Sequence, residues 1–211
     1  MKYIHVARDG RDVCMSYHNH IRAFTADARA ALDQAGLEDE AIARPYPHVP
    51  EDPELFFHCW LTQGAVPGEE DGWPNLSFFA FQRGYWDARR RPNLLLVHYA
   101  DLKADLEGEM RRIADFLEIS VGPELWPRLV AAAGFEAMRR DGDTLMATTK
   151  LMFEGGAERF FYRGSNERWR GVLHPEDLAL YDWKLKARLP PGCAAWVAQG
   201  RLAAGDPRQS T

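Results

Sequence analysis

The segment Leu94–Tyr99 (LLLVHY) constrains the fold of this chain more than any other stretch of the sequence. A nearly continuous apolar run of this length is typical of a parallel strand that is buried on both faces. Residues 102–117 follow it with apolar side chains every three or four positions, opposite charged ones. That spacing predicts an amphipathic helix. A buried strand that leads into such a helix indicates the βα unit of an α/β domain.

The N-terminal residues show the same pattern. Residues 2–7 (KYIHVA) are β-prone, Asp9 and Gly10 interrupt the run, and residues 11–24 carry apolar side chains at helical spacing. Asp9 is placed to cap that helix. The sequence predicts no third strand with the same clarity. Because two parallel strands leave unpaired sheet edges, we expect either strands supplied from elsewhere or a larger fold without its N-terminal part.

The rest of the chain is predicted to be mainly helical. One domain is expected over residues 1–205, followed by a frayed tail at 206–211. Loops rich in proline, glycine or arginine are predicted at 44–53, 64–73 and 153–171. Helices are predicted over residues 26–36, 54–62, 77–91, 123–133, 135–140 and 175–189.

Composition argues against several classes of protein. The chain has 26 basic and 31 acidic residues and a formal net charge of -5. Nucleic-acid-binding domains are normally basic, so we expect no nucleic-acid partner. The apolar runs are too short for a transmembrane helix, so no membrane association is expected. The three cysteines are far apart in sequence and suit neither a disulfide framework nor a metal-binding pair, which favours a cytoplasmic location.

Arg8 marks a candidate anion site at the end of the first predicted strand. The carboxyl ends of parallel strands are where α/β folds bind ligands. Ser16 lies two turns into the following helix, and an arginine and a hydroxyl beside a helix start can hold a phosphate. The spacing leaves open the alternative that Arg8 pairs with Asp9 or Asp12 and that Ser16 faces solvent.

Two other segments carry candidate binding residues. Residues 160–170 (FFYRGSNERWR) combine arginines with a glycine and aromatic residues, a pattern that suits a loop folded over an anion. The alternative for this segment is a solvated loop with Trp169 in the core. Tyr99, predicted at the end of the second strand, is placed to stack on a base or donate a hydrogen bond, or else to fill the core.

In their order and spacing, these three segments resemble the family of sulfotransferases that use 3'-phosphoadenosine-5'-phosphosulfate (PAPS). The first is similar to the family's 3'-phosphate-binding strand and helix (KYIHVARDGRDVCMSYHNHIRAF). The second is similar to its strand, Tyr-Glu-Asp turn and helix (NLLLVHYADLKADLEGEMRRIADFLEI). The third is similar to its C-terminal Arg-Lys-Gly loop (FFYRGSNERWRGVLHPEDLALYD).

The resemblance implies a three-layer α/β/α fold with a parallel sheet, related to the P-loop kinases. It also implies PAPS as the sulfuryl donor, a small-molecule acceptor with a hydroxyl or amine, and no metal. By the same resemblance, Arg8 and Ser16 would contact the 3'-phosphate and Tyr99 would lie near the adenine. Arg163 and Gly164 would close over the same phosphate.

The sequence departs from the family pattern at three of these positions. Tyr162, which we retain as a cofactor-binding candidate, stands where many members have the first basic residue of the loop. Glu167 stands where a glycine is usual. Ala100 replaces the acidic residue of the Tyr-Glu-Asp turn.

Two catalytic segments of the family have no match in this chain. The family's Lys-Ser-Gly-Thr-Thr phosphate loop and its Lys-Thr-His segment would both precede residue 1. We therefore expect an N-terminally incomplete fold, no catalytic residue and impaired transfer. The alternative is a non-catalytic 3'-phosphoadenosine-binding or interaction module. His48 and His58 are left open as local bases, and the oligomeric state is also left open.

Overall fold

The two predicted strands pair with each other in the computed structural model, which describes residues 1–40 and 42–210. Strand β1 spans Tyr3–Ala7 and strand β2 spans Leu94–His98. They run parallel, with Ala7 opposite His98, and form the only sheet among the described residues. Every residue of β2 is buried, as predicted, whereas three of the five residues of β1 are exposed.

Helices make up most of the remaining structure. A short 3₁₀ turn at Pro123–Leu125 precedes the seventh of them. In chain order the helices are α1 Gly10–Arg22, α2 Ala26–Glu38, α3 Pro53–Thr62, α4 Phe78–Asp87, α5 Tyr99–Ala104, α6 Leu106–Leu117, α7 Trp126–Ala133, α8 Phe135–Leu145, α9 Thr149–Met152, α10 Gly156–Phe160, α11 Pro175–Arg188, α12 Pro191–Gln199 and α13 Arg201–Ala204.

Local capping explains where several helices begin. The Asp9 carboxylate accepts a hydrogen bond from the backbone NH of Arg11 at 2.9 Å, which confirms its predicted role as the N-cap of α1. The Asp52 and Ser77 side chains cap α3 and α4 in the same way. Such caps satisfy backbone NH groups that have no partner within the helix.

The region after β2 differs from the prediction in two places. The strand ends at His98 and not at Tyr99, because the His98 Nδ1 accepts from the backbone NH of Ala100 at 3.1 Å and the chain enters α5 there. The single helix predicted over 102–117 is two helices. Asp105 ends α5, and its carboxylate accepts from the backbone NH of Gly108 at 2.9 Å to begin α6.

Three other predictions are corrected toward the C-terminus. The loop predicted at 153–171 contains α10, and α8 continues beyond residue 140. The tail predicted to fray is packed over residues 206–210, where Arg89 Nε donates to the Pro207 carbonyl at 2.9 Å. Arg208 Nη2 donates to the carbonyl of Leu94 in β2, also at 2.9 Å. Residue 211 lies outside the described residues.

An aromatic core holds β1, β2 and the surrounding helices together. Its large buried side chains come mainly from α3, α4, α11 and α12, and burial of this apolar area is the main stabilising contribution to the fold. The largest of them are Phe56, Phe57, Phe79, Trp86, Tyr181 and Trp196. The described helices include none with the length and apolar character needed to cross a membrane.

Candidate functional site

Arg8 follows β1 and lies where three distant parts of the chain meet. Its Nε donates to the Asn166 side-chain oxygen at 3.1 Å, and its Nη2 donates to the Ser165 carbonyl at 2.7 Å. The guanidinium also lies 4.4 Å from the ring centroid of Tyr99. Ser165 and Asn166 belong to the loop between α10 and α11, residues 161–174, which we call the C-terminal loop. The structure therefore brings Arg8, Tyr99 and this loop together at the carboxyl ends of β1 and β2.

Asp12, on the first turn of α1, fixes the position of that loop. Its buried carboxylate accepts from the backbone NH of Glu167 at 2.9 Å and from that of Arg168 at 3.1 Å. It also lies 3.6 Å from Arg8 Nη2. The sequence left open a pairing of Arg8 with Asp9 or Asp12, and the structure contains the pair with Asp12. The sequence indicated Asp12 only as a possible partner of Arg8, because its partners in the loop lie more than 150 residues along the chain.

Tyr162 is surrounded by arginines from its own loop and from α10. The guanidinium carbons of Arg159, Arg163 and Arg168 lie 5.3, 5.0 and 4.7 Å from the centroid of its ring. Cations at such distances interact favourably with the face of an aromatic ring. Arg163 is exposed and Arg168 is half-buried. No role for Arg168 is predicted from the sequence, because only the folded loop turns its side chain back toward Tyr162.

Gly164 has a structural reason to be glycine. Its φ is +60°, and a Cβ at this position would lie 2.4 Å from Cδ2 of Phe135. The face of Gly164 that a side chain would occupy is therefore packed against a ring.

Ser16 forms no hydrogen bond with Arg8 or with the described residues that hold Arg8. It is half-buried on α1, and its hydroxyl makes no hydrogen bond to any residue in the described part of the chain. Trp169 is buried in the core, as its alternative interpretation proposed, with the guanidinium of Arg11 at 4.2 Å from its ring centroid.

Arg8 borders two cavities of different character. The larger has a volume of about 670 Å³, and the apolar part of its wall comes from Val6, Val13, Trp60, Phe78 and Phe81. Arg8 and Tyr99 lie at its edge. The smaller, of about 390 Å³, lies on the side of Asn166 and Glu167 and is lined mainly by charged and polar residues.

A small group of polar side chains interrupts the apolar wall of the larger cavity. The Tyr17 hydroxyl forms a 2.6 Å hydrogen bond with the Tyr46 hydroxyl and accepts another from the Asn75 amide. Burial, together with the bond to Tyr46, raises the pKa of Tyr17 well above its usual value. The hydroxyl therefore stays protonated and can orient a ligand by hydrogen bonding.

The described histidines are not part of the wall of the larger cavity, although His5 bonds to Gln82, which is. Burial lowers the pKa values of His5 and His98, which bond to the Gln82 side chain and the Val197 carbonyl. His58 Nδ1 lies 2.9 Å from the Asp177 carboxylate, and His48 lines a separate small cavity. No histidine in the described ranges lines the 670 Å³ cavity. The same ranges contain no cluster of three or more histidine, cysteine or acidic side chains placed to hold a metal ion.

Comparison with known proteins relates this chain to one family. The family model of the sulfotransferase domain matches residues 1–187. The glycolipid sulfotransferase of Mycobacterium tuberculosis is 29% identical over 211 residues, which cover 95% of this chain and 65% of that protein. The luciferin sulfotransferase of Photinus pyralis is 27% identical over 194 residues, which cover 88% of this chain and 44% of that protein.

Solved structures show the same likeness in three dimensions. Retinol dehydratase in complex with androsterone and the inactive cofactor PAP superposes with a TM-score of 0.63 at 23% identity. A mouse sulfotransferase complexed with PAP gives the same TM-score at 15% identity. The matches cover 90% of this chain and 48% and 59% of the two solved chains. The chain thus spans about half the length of these structures, and its fold is of their α/β type, as predicted.

Proposed function

The chain belongs to the sulfotransferase domain family, and from this premise we propose that it binds PAPS and serves transfer of the sulfuryl group to a small-molecule acceptor. The observation that carries the proposal is the position of Arg8. Its guanidinium is held by the C-terminal loop and stacked on Tyr99, where the resemblance expects a 3'-phosphate and an adenine.

The residues around Arg8 suit a phosphate chemically. An arginine held by other hydrogen bonds loses little side-chain entropy when it binds an anion, and its planar fork matches phosphate oxygens. The Arg8 Nη1 donors form no hydrogen bond within the described residues, so they are available to a ligand. Arg163 and Arg168 lie on the same loop, and neither forms an ion pair with a carboxylate in the described part of the chain. Ser16 remains a proposed contact of the 3'-phosphate only because of its position in the family's sequence pattern.

The larger cavity is the proposed acceptor site. It borders Arg8, and its aromatic and aliphatic wall would bury the apolar body of an acceptor. The Tyr17 and Asn75 side chains would hydrogen-bond to an acceptor hydroxyl or amine. In the transfer, the acceptor oxygen or nitrogen forms a bond to sulfur and loses a proton, while the bond from sulfur to the phosphate oxygen breaks and PAP leaves.

We assign no general base within these residues. Transfer requires a positioned group within hydrogen-bond distance of the acceptor proton. His48 and His58 lie outside the larger cavity, and the other described histidines also do not line it. The proposed role of the chain is thus nucleotide and acceptor binding. We propose a cytoplasmic location, because the three cysteines are far apart in sequence and do not suit a disulfide framework.

Calorimetric titration with PAP and with adenosine 5'-phosphate tests the proposal. The two ligands differ at the 3'-position, where only PAP carries a phosphate. Contacts from arginine to that phosphate should make PAP bind about 10- to 100-fold more tightly. Equal affinity for the two nucleotides, or no binding of either, would contradict the proposed function.

A further inference from the structure

Three arginines surround Tyr162, and none of them has an acidic partner among residues 1–40 and 42–210. Arg159, Arg163 and Arg168 form no ion pair with any carboxylate in the described ranges, although the chain as a whole is acidic. Neighbouring arginines are compensated: Arg139 pairs with Glu158 at 3.1 Å and Arg170 with Glu167 at 2.8 Å. Like charges held this close repel each other, so the arrangement favours a bound anion.

Arg168 is the member of this group most closely tied to Arg8. Its backbone NH is bonded to the Asp12 carboxylate, which also lies 3.6 Å from the Arg8 guanidinium. Its side chain lies closer to the Tyr162 ring than those of Arg159 and Arg163 do. The Asp12 carboxylate thus holds the backbone of Arg168 and lies beside the Arg8 guanidinium, and it forms no ion pair with the Arg168 guanidinium among the described residues.

The electrostatics of the Arg168 side chain agree with this geometry. Burial lowers the pKa of Arg168 most, and the positive charges of Arg163 and Arg8 lower it further. The Asp12 carboxylate acts in the opposite direction without restoring the usual value. A half-buried guanidinium whose neighbours are mostly cations is stabilised when a phosphate binds beside it.

We propose that Arg168 binds the 3'-phosphate of the nucleotide together with Arg8, and that Tyr162 is the aromatic platform that positions the Arg168 side chain. The inference rests on the proposed function. It adds to the phosphate site an arginine that lies outside the family's Arg-Lys-Gly motif. Tyr162 itself carries no charge, so the cation that its position lacks comes from Arg168. The Tyr162 ring, and not its hydroxyl, is the part of that residue that serves binding.

The test compares Arg168→Gln with Arg111→Gln in titrations of the full chain with PAP and adenosine 5'-phosphate. Arg111 is a matched control on α6, because its guanidinium also lies over an aromatic ring, 4.3 Å from the Trp126 centroid, but is neutralised by Glu107. We expect Arg168→Gln to weaken PAP binding about 10- to 100-fold and to leave adenosine 5'-phosphate binding unchanged. Arg111→Gln should change neither, and thermal unfolding should confirm that both variants are folded.

Two further variants test the platform. Tyr162→Phe keeps the ring and should bind PAP as the wild type does, whereas Tyr162→Leu should weaken binding several-fold. Equal losses in these two variants would assign the contact to the hydroxyl and overturn the platform role. If the wild type prefers PAP but Arg168→Gln keeps that preference, the role of Arg168 is wrong while the proposed function stands. If the wild type shows no preference, the proposed function fails and this inference falls with it.

Discussion

Two residues with left-handed backbone set the course of the C-terminal loop. Glu167 has a φ of +63°, at the position where the sequence resemblance expects a glycine. A residue with a side chain pays about 1–2 kcal/mol for this conformation. The hydrogen bonds from its own NH and from that of Arg168 to Asp12 offset the cost. Gly164 takes the same region without strain and packs against Phe135.

Alanine at Gly164 should destabilise the chain more than alanine at Gly171. Both glycines have positive φ, +60° and +73°, so both variants acquire backbone strain of about 1–2 kcal/mol. Only at Gly164 would the new Cβ overlap a ring, that of Phe135, whereas nothing lies within 4 Å at Gly171. We expect Gly164→Ala to lose about 1–3 kcal/mol more in free energy of unfolding, measured by urea denaturation. Equal losses would show that Phe135 does not constrain the loop.

At the scale of elements, one buried carboxylate joins α6 to β2 and α13. Glu109 is fully buried and accepts from Arg112 and, at 2.8 Å, from Arg201 Nη2. Arg112 also donates to the Leu96 carbonyl in β2 at 2.9 Å. Burial by itself would raise the pKa of Glu109, but the bonds from the two arginines outweigh it and hold the pKa below its usual value.

Replacing this carboxylate should cost far more than replacing its exposed neighbour. Glu109→Gln leaves two arginines without their counter-charge and should lower the free energy of unfolding by about 3 kcal/mol. Glu107→Gln removes an exposed pair with Arg111 on the same helix and should cost about 0.3–0.5 kcal/mol. Urea unfolding of both variants at neutral pH gives the comparison, and similar small losses would contradict the account of Glu109.

The same pair of variants should respond differently to acid. The folded pKa of Glu109 lies below the usual 4.5, so its contribution to stability is present above pH 4.5 and is lost as the pH falls through the folded value. The stability difference between the wild type and Glu109→Gln should therefore shrink below pH 4.5. A difference that is independent of pH would mean that the carboxylate charge does not stabilise the fold.

Periodicity predicted the elements that have a strong repeating pattern. Strand β2 and helices α1 and α11 form close to where the sequence places them. The division of residues 99–117 into α5 and α6 was not predicted. Asp105 ends the first helix and begins the second, but the spacing of apolar residues continues unchanged across it. Helices α12 and α13 were not predicted. Residues 191–204 are mostly small and apolar, so they show no alternation of apolar and polar side chains at helical spacing.

At the scale of the whole molecule, the candidate site is assembled from segments far apart in the chain. Arg8 bonds to Asn166 and stacks on Tyr99, and neither contact follows from local pattern. The family resemblance placed Arg8 and the loop at one site, but it did not predict the parts played by Asp12 and Arg168. Those depend on the register of the loop against α1, which only tertiary structure defines.

The 211-residue chain alone is predicted to bind PAP without transferring sulfuryl groups. No histidine in its described part lines the cavity beside Arg8, and a positioned base contributes about 100- to 10,000-fold to such reactions. The assay is release of PAP from radiolabelled PAPS with a panel of phenols. Saturable turnover that Arg8→Gln abolishes would contradict this prediction and would show that the chain contains its own base.

The most direct test of the account is the affinity of Arg8→Gln for PAP, compared with that of Arg83→Gln. Arg83 is a surface arginine whose ion pair among the described residues is with Asp87, and its replacement changes the net charge by the same amount. Calorimetry should show that Arg8→Gln weakens PAP binding by about 1.5–3 kcal/mol, the contribution of hydrogen bonds to a charged group. Arg83→Gln should bind as the wild type does. Equal affinities of the two variants, both shown to be folded, would contradict the assignment of the nucleotide site.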